Sequence, residues 1–182
     1  MSASSAVRVA CTGAVLSVLG IAIVHPRALA VGPAQRTIHV TGRGVDRMDG
    51  ALVHSEQQTP AGLTRISTAV VELEGDLHGR VLYQVTTRID SARRKLTNTG
   101  RQVYSGTIAG SGPVMLYDDS FVFEANLASG SEHGQVHLVR HLGSPAARCE
   151  LQVSGTGKDA QGNPMFTYEG DCLIASNGVA DH

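Results

Sequence analysis

Asp119 is the residue in this chain best placed to do chemistry. It lies in the stretch "PVMLYDDSFVFEANL", where Met115, Tyr117, Phe121, Phe123 and Ala125 share its odd-numbered parity. In a β-strand alternate side chains point to opposite faces. Asp118, Ser120, Glu124 and Asn126 then fall on the other side. The apolar face is expected to turn inward and carry Asp119 among aromatic rings. A buried carboxyl must find a partner or its pKa rises. An acid so tuned can orient a ligand or carry a proton. Arg140 shares the parity of Val136 and Leu138 in "QVHLVRHL" and is the expected counter-charge. Tyr83 adds a phenol from "RVLYQVTTRI", where Val81, Val85 and Ile89 share its face. A structural ion pair, or an Asp at a bulge beside Asp118, would use the same residues.

Other reactive patterns fail on geometry or context. His133, His137 and His141 form H-x-x-x-H-x-x-x-H, which on a helix converges on zinc. Their segment alternates like a strand, and residues four apart on a strand are ~13 Å apart. They read as solvent-facing histidines, and no metal or other cofactor is expected. Glu72 and Glu74 share a face with Thr68 and Val70, which suits a solvated outer wall. "GTGKDA" resembles a phosphate loop, but that loop requires Ser or Thr after the Lys and a helix beyond it. Here Asp159 follows Lys158, Gln152 stands where the first Gly should be, and Asn163-Pro164 ends the segment. Nor is there a G-x-S-x-G nucleophile elbow.

The segment from Cys149 to Cys172, "CELQVSGTGKDAQGNPMFTYEGDC", reads instead as a hairpin turning between Ala160 and Gln161. That register puts Cys149, Leu151, Val153, Phe166, Tyr168 and Cys172 on one face, with Cys149 opposite Cys172 and Leu151 opposite Gly170. Directly opposed antiparallel residues have Cα atoms ~4.5–5.5 Å apart, within disulfide range.

The N-terminus supplies the compartment such a bond needs. Arg8 precedes the apolar run Val9–Val24, and Ala28-Leu29-Ala30 follows. These are the parts of a secretory signal, with cleavage expected after Ala30. The run is shorter than the ~20 residues that span a bilayer, so no stable membrane span is expected after cleavage. Arg8 close before Cys11 argues against lipoprotein processing. The two remaining cysteines in an exported chain imply a bridge, in a secreted or periplasmic protein.

The elements that must position these residues are strands. Charged residues are 17% and the net charge is -1, without the basic stripe of nucleic-acid binders. The mature chain divides into a leader at 31–36, a β-domain at 37–174 and a polar tail at 175–182. "TIHVTGR" is the first expected strand, and Asp46 to Gly62 is expected to be a loop. About eight strands follow one another between Gly-rich turns. Eight antiparallel strands avoid open edges most simply by closing into a barrel. A two-sheet β-sandwich is the alternative.

The stretches "YSGTIAGSGPVMLYDD", "FEANLASGSEHGQVHLVR" and the Cys149–Cys172 hairpin resemble the small bacterial barrels related to allene oxide cyclase and the plant dirigent proteins. The resemblance covers roughly Arg65 to Ile174. It implies an eight-stranded barrel with an apolar cavity; some members cyclise unsaturated lipids or polyketides by shaping the substrate and excluding water. No catalytic motif of that family maps onto this chain.

Three functions fit. The first is an exported barrel binding a small apolar molecule through Asp119, Tyr117, Phe121, Phe123, Tyr83 and Arg140. The second is a cyclase or isomerase that templates its substrate inside the barrel. The third is a structural or interaction protein with a filled interior. A homo-oligomer is compatible with all three.

Overall fold

The computed structural model describes residues 35–143 and 145–175, apart from the side chain of Asp119. The expected signal segment, residues 31–34 of the leader and residues 176–182 of the tail lie outside the described residues. Nine strands follow in order: β1 Gln35–Thr59, β2 Gly62–Gly75, β3 Leu77–Asp90, β4 Lys95–Ile108, β5 Val114–Asn126, β6 Glu132–Leu138, β7 Arg140–Leu142, β8 Ala147–Lys158 and β9 Pro164–Ala175. All pairings are antiparallel, and β6 and β7 are two pieces of one wall strand, both paired to β5. β4 pairs β5, and β1 pairs both β2 and β9, so the sheet closes. The protein is an all-β, eight-stranded antiparallel barrel.

The pairing can be followed around the wall from Arg65 through Thr87, Asn98, Phe123, Gly134, Val153, Tyr168 and Gly42. It returns to β2 at Gly75, ten residues beyond its start. With strands ~4.7 Å apart rising ~3.3 Å per residue, that stagger tilts them about 40° to the barrel axis.

One end of the interior is a dry floor. Val40, Leu77, Tyr104, Ile108, Leu116, Leu138, Cys149 and Cys172 are all under 2% exposed. Two phenols are buried there with their hydroxyls satisfied, as such groups require. Tyr168 Oη accepts from Leu77 N at 2.7 Å, and Tyr104 Oη donates to Thr107 O at 2.6 Å. The Tyr168 ring lies across Gly42, where a Cβ would overlap it. The β8–β9 hairpin has the register read from its sequence up to Gly155, with Cys149 opposite Cys172 and Leu151 opposite Gly170, and slips by one residue between Gly155 and Gly157. The two cysteines are bridged, their Cα atoms 4.1 Å apart.

Two expectations are corrected. Asp46 to Gly62 is not a loop, because β1 runs on to Thr59. Its pairing with β2 slips between Arg47 and Leu52 and again between Val53 and Ser55. Those irregularities erase the alternation by which a strand is recognised. Arg140 does not continue the inward face of Val136 and Leu138. The chain bends at Val139, whose N–H donates to His137 O at 2.9 Å, and Arg140 emerges exposed.

The bridge closes a segment with a sequence separation of 23. By loop-entropy reasoning its loss should cost about 3 kcal/mol. The Cys149→Ser/Cys172→Ser double variant is expected to show that loss in urea unfolding. The unreduced wild-type protein cleaved after Ala30, which no longer carries Cys11, should take up no alkylating reagent.

Candidate functional site

Above the floor the inner wall changes character. Phe121 is buried, whereas Tyr83, Phe123 and Phe166 are only partly so. Phe166 lies over Gly44 and Phe123 beside Gly134, two positions where a Cβ would overlap the ring. Tyr83 meets Phe121 edge to face, ring centroids 6.0 Å apart. This more exposed end is the mouth of the barrel.

β5 crosses the interior in two phases. Gly100 of β4 pairs with Phe121 and Gln102 with Asp118, so β5 carries one extra residue between them. Such a bulge reverses which face each parity presents. Beyond it, Phe121, Phe123 and Ala125 face inward as the sequence suggests. Before it, Leu116 and Asp118 point inward, Met115 is 39% exposed, and Tyr117 turns outward. Asp118 is therefore the buried acid, 2% exposed, where a solvated residue was expected. The side chain of Asp119 lies outside the described residues. The expected neighbours Tyr117 and Arg140 do meet, with the guanidinium carbon 5.8 Å from the ring centroid, but on the outer wall.

Asp118 is a structural acid. It accepts from Ser120 N at 2.8 Å, His137 N at 3.0 Å and Gln102 Nε2 at 3.3 Å. It ties the bulge to β4 and to the adjoining strand β6.

A second interior acid, Asp46, was hidden in the segment read as loop. Tyr83 Oη donates to both of its oxygens, each at 2.8 Å. Burial pushes the Asp46 carboxyl above the ordinary range, only partly offset by that hydrogen bond, and pushes the Tyr83 phenol up as well. Nearby, the side-chain oxygen of Asn98 is buried with no donor. Asn98 pairs with Phe123 across β4 and β5. Tyr83, Phe121 and Phe123 are thus gathered with Asp46, Asn98 and Phe166, while Tyr117 and Arg140 are not. The alternation Gly44–Asp46 continues that of Val40–Gly42, which is the signal that could have placed Asp46 inside.

The outer wall is different in kind. Two clefts, of ≈ 390 and ≈ 270 Å³, lie across β1, β8, β9 and the adjoining β6 and β7, the larger bordered by His137, Arg148, Glu150 and Asp171. They are open grooves whose linings mix polar and apolar groups, and neither borders the aromatic rings of the interior. His133 and His141 are exposed, and no three His, Cys, Asp or Glu among the described residues group as a metal site would require.

Asp118→Ala would strand one buried and two part-buried donors, so it should cost about 2 kcal/mol in urea unfolding. A loss below about 0.5 kcal/mol would contradict the role given to it. Asp46 has the opposite sign. Its folded pKa is raised, so the stability it contributes is full below its unfolded pKa and is lost as pH rises through the folded value. Asp46→Asn should therefore gain stability relative to wild type between pH 4 and pH 7, measured by urea titration at both pH values.

Compared with known proteins, the chain matches no family model, no curated protein and no solved structure.

Proposed function

We propose that this is an exported barrel that holds a small, largely apolar molecule at its mouth. The observation that carries this reading is the contrast between the two ends of one interior. The chain has three Phe residues, and all three face the inner wall near the mouth. Two of them, with Tyr83, stay partly exposed while the floor beneath is dry. Covering ~100 Å² of such ring surface is worth about 2.5 kcal/mol. The mouths of β-barrels are common places for ligands held by apolar walls and a few polar groups. Asp46 and Tyr83 are the polar handle, and Asp46 is the acid a cyclase or isomerase would use. Export rests on the expected cleavage after Ala30, and the bridged cysteines are compatible with an oxidising compartment. The resemblance to allene oxide cyclase-like barrels supports the same reading.

A filled barrel acting through its outside is the second reading. One observation favours it: Val70, Leu82, Val103 and Tyr117 pair in a row across four strands of the outer wall, with Leu82 54% exposed. Exposed apolar rows of this kind mark interaction surfaces.

The neutral reporter N-phenyl-1-naphthylamine separates the two. Its fluorescence should rise on adding the protein, and Phe123→Ala should weaken binding about tenfold, or ~1.4 kcal/mol, while Leu82→Ser leaves it unchanged. Loss of binding in Leu82→Ser alone would favour the outer wall.

A further inference from the structure

The mouth has a pattern of charge that the binding reading above does not require. On the inner wall, carboxylates alternate with rings. Phe166 pairs with Gly44 of β1 on one side and Gly155 of β8 on the other. Asp46 follows Gly44 by two residues on the same face. Glu132 lies over Gly155, where a Cβ would overlap its carboxylate. The ring of Phe166 thus has an acid on either side. Glu132 is in turn two residues from Gly134, against which Phe123 packs. Asp46 reaches the Tyr83–Phe121 pair through the Tyr83 hydroxyl.

Of the cations nearby, Arg65 and Arg47 are engaged, whereas Lys158, opposite Pro164 at the end of the β8–β9 hairpin, is exposed to solvent. Arg65, whose position faces the mouth, pairs with Glu56 at 2.6 Å. Arg47 pairs with Glu72 at 2.6 Å on the outer side. The side chain of Glu132 has neither a hydrogen bond nor an ion pair among the described residues. The buried oxygen of Asn98 adds an acceptor that lacks a donor. The unsatisfied groups of the mouth are acceptors and acids, set between aromatic faces.

We infer that the molecule held at the mouth is an apolar cation, a lipophilic amine or quaternary ammonium, seated among Phe121, Phe123, Phe166 and Tyr83 with Asp46 and Glu132 as counter-charges. The inference rests on the mouth being a binding site. A cation over ring faces gains from the ring quadrupole, more so when desolvated. Carboxylates beside it gain further in a medium of lower dielectric than water. A neutral molecule would cover the acids without compensating them, and an anion would meet two like charges.

Calorimetric titration of the full mature protein at pH 7.5 and low salt decides this, with three probes sharing one ring system. The probes are (1-naphthylmethyl)trimethylammonium, 1-naphthylmethanol and 1-naphthylacetate. The ammonium probe should bind at least ~10-fold tighter than the alcohol, and the acetate weakest. Asp46→Asn and Glu132→Gln should each weaken the ammonium probe about five- to tenfold and leave the alcohol within about twofold. Glu132→Gln removes no hydrogen bond of the fold, so it keeps the test open if Asp46→Asn folds poorly. If the alcohol or the acetate binds as tightly as the ammonium, the cation is wrong and the mouth reading stands. If none of the three binds, both fall.

Discussion

Closure of the sheet is the constraint on which everything else here depends. β1 pairs along one edge with β9 from Gln35 to Val45 and along the other with β2. Without the β9 pairing, the first and last strands would both present open edges, the usual starting point for aggregation. The same pairing brings Tyr168 across Gly42 and onto the backbone of Leu77, which seals the floor. It also sets the ten-residue stagger that tilts the strands and so determines which side chains share a level inside. The disulfide stiffens β8 against β9, the strand that receives β1.

What the sequence made legible follows the regularity of each strand. The β8–β9 hairpin could be read down to residue pairs from Cys149 to Gly155, where both strands alternate cleanly and two cysteines mark the register, but not past the one-residue shift between Gly155 and Gly157. β5 could be read only in part. One extra residue between Asp118 and Phe121 exchanges the faces, and the two adjacent residues there are both Asp, so no contrast of polarity betrays the slip. β1 was half hidden for the same reason, since its irregularities against β2 look like a loop. Arg140 was misplaced by a bend at Val139 that no Gly or Pro announces. In each case the residues were right for a strand, and the error was a count of one or a few.

The two interior acids show why position within the barrel matters more than residue type. Asp118 receives two backbone N–H groups and one amide, and serves to pin a bulge. Such a carboxylate is stabilising where it stands and has little left to offer a ligand. Asp46 receives a single phenol, and burial raises its pKa. Local choices that cost stability tend to be kept where a site needs them. On that ground the incompletely compensated acid, beside partly exposed rings, is the better guide to function.

The division between floor and mouth also separates stability from specificity. Cavity-forming changes in a dry, close-packed layer typically cost several kcal/mol. The floor, with Tyr104, Leu77, Ile108 and the bridged cysteines, is such a layer. The rings and acids of the mouth are partly exposed, and several of their neighbours are glycines that leave them room. Substitution there should disturb folding little while altering what fits. A barrel so built can change its ligand without changing its fold, because the interactions that close the sheet and those that face the opening involve different residues.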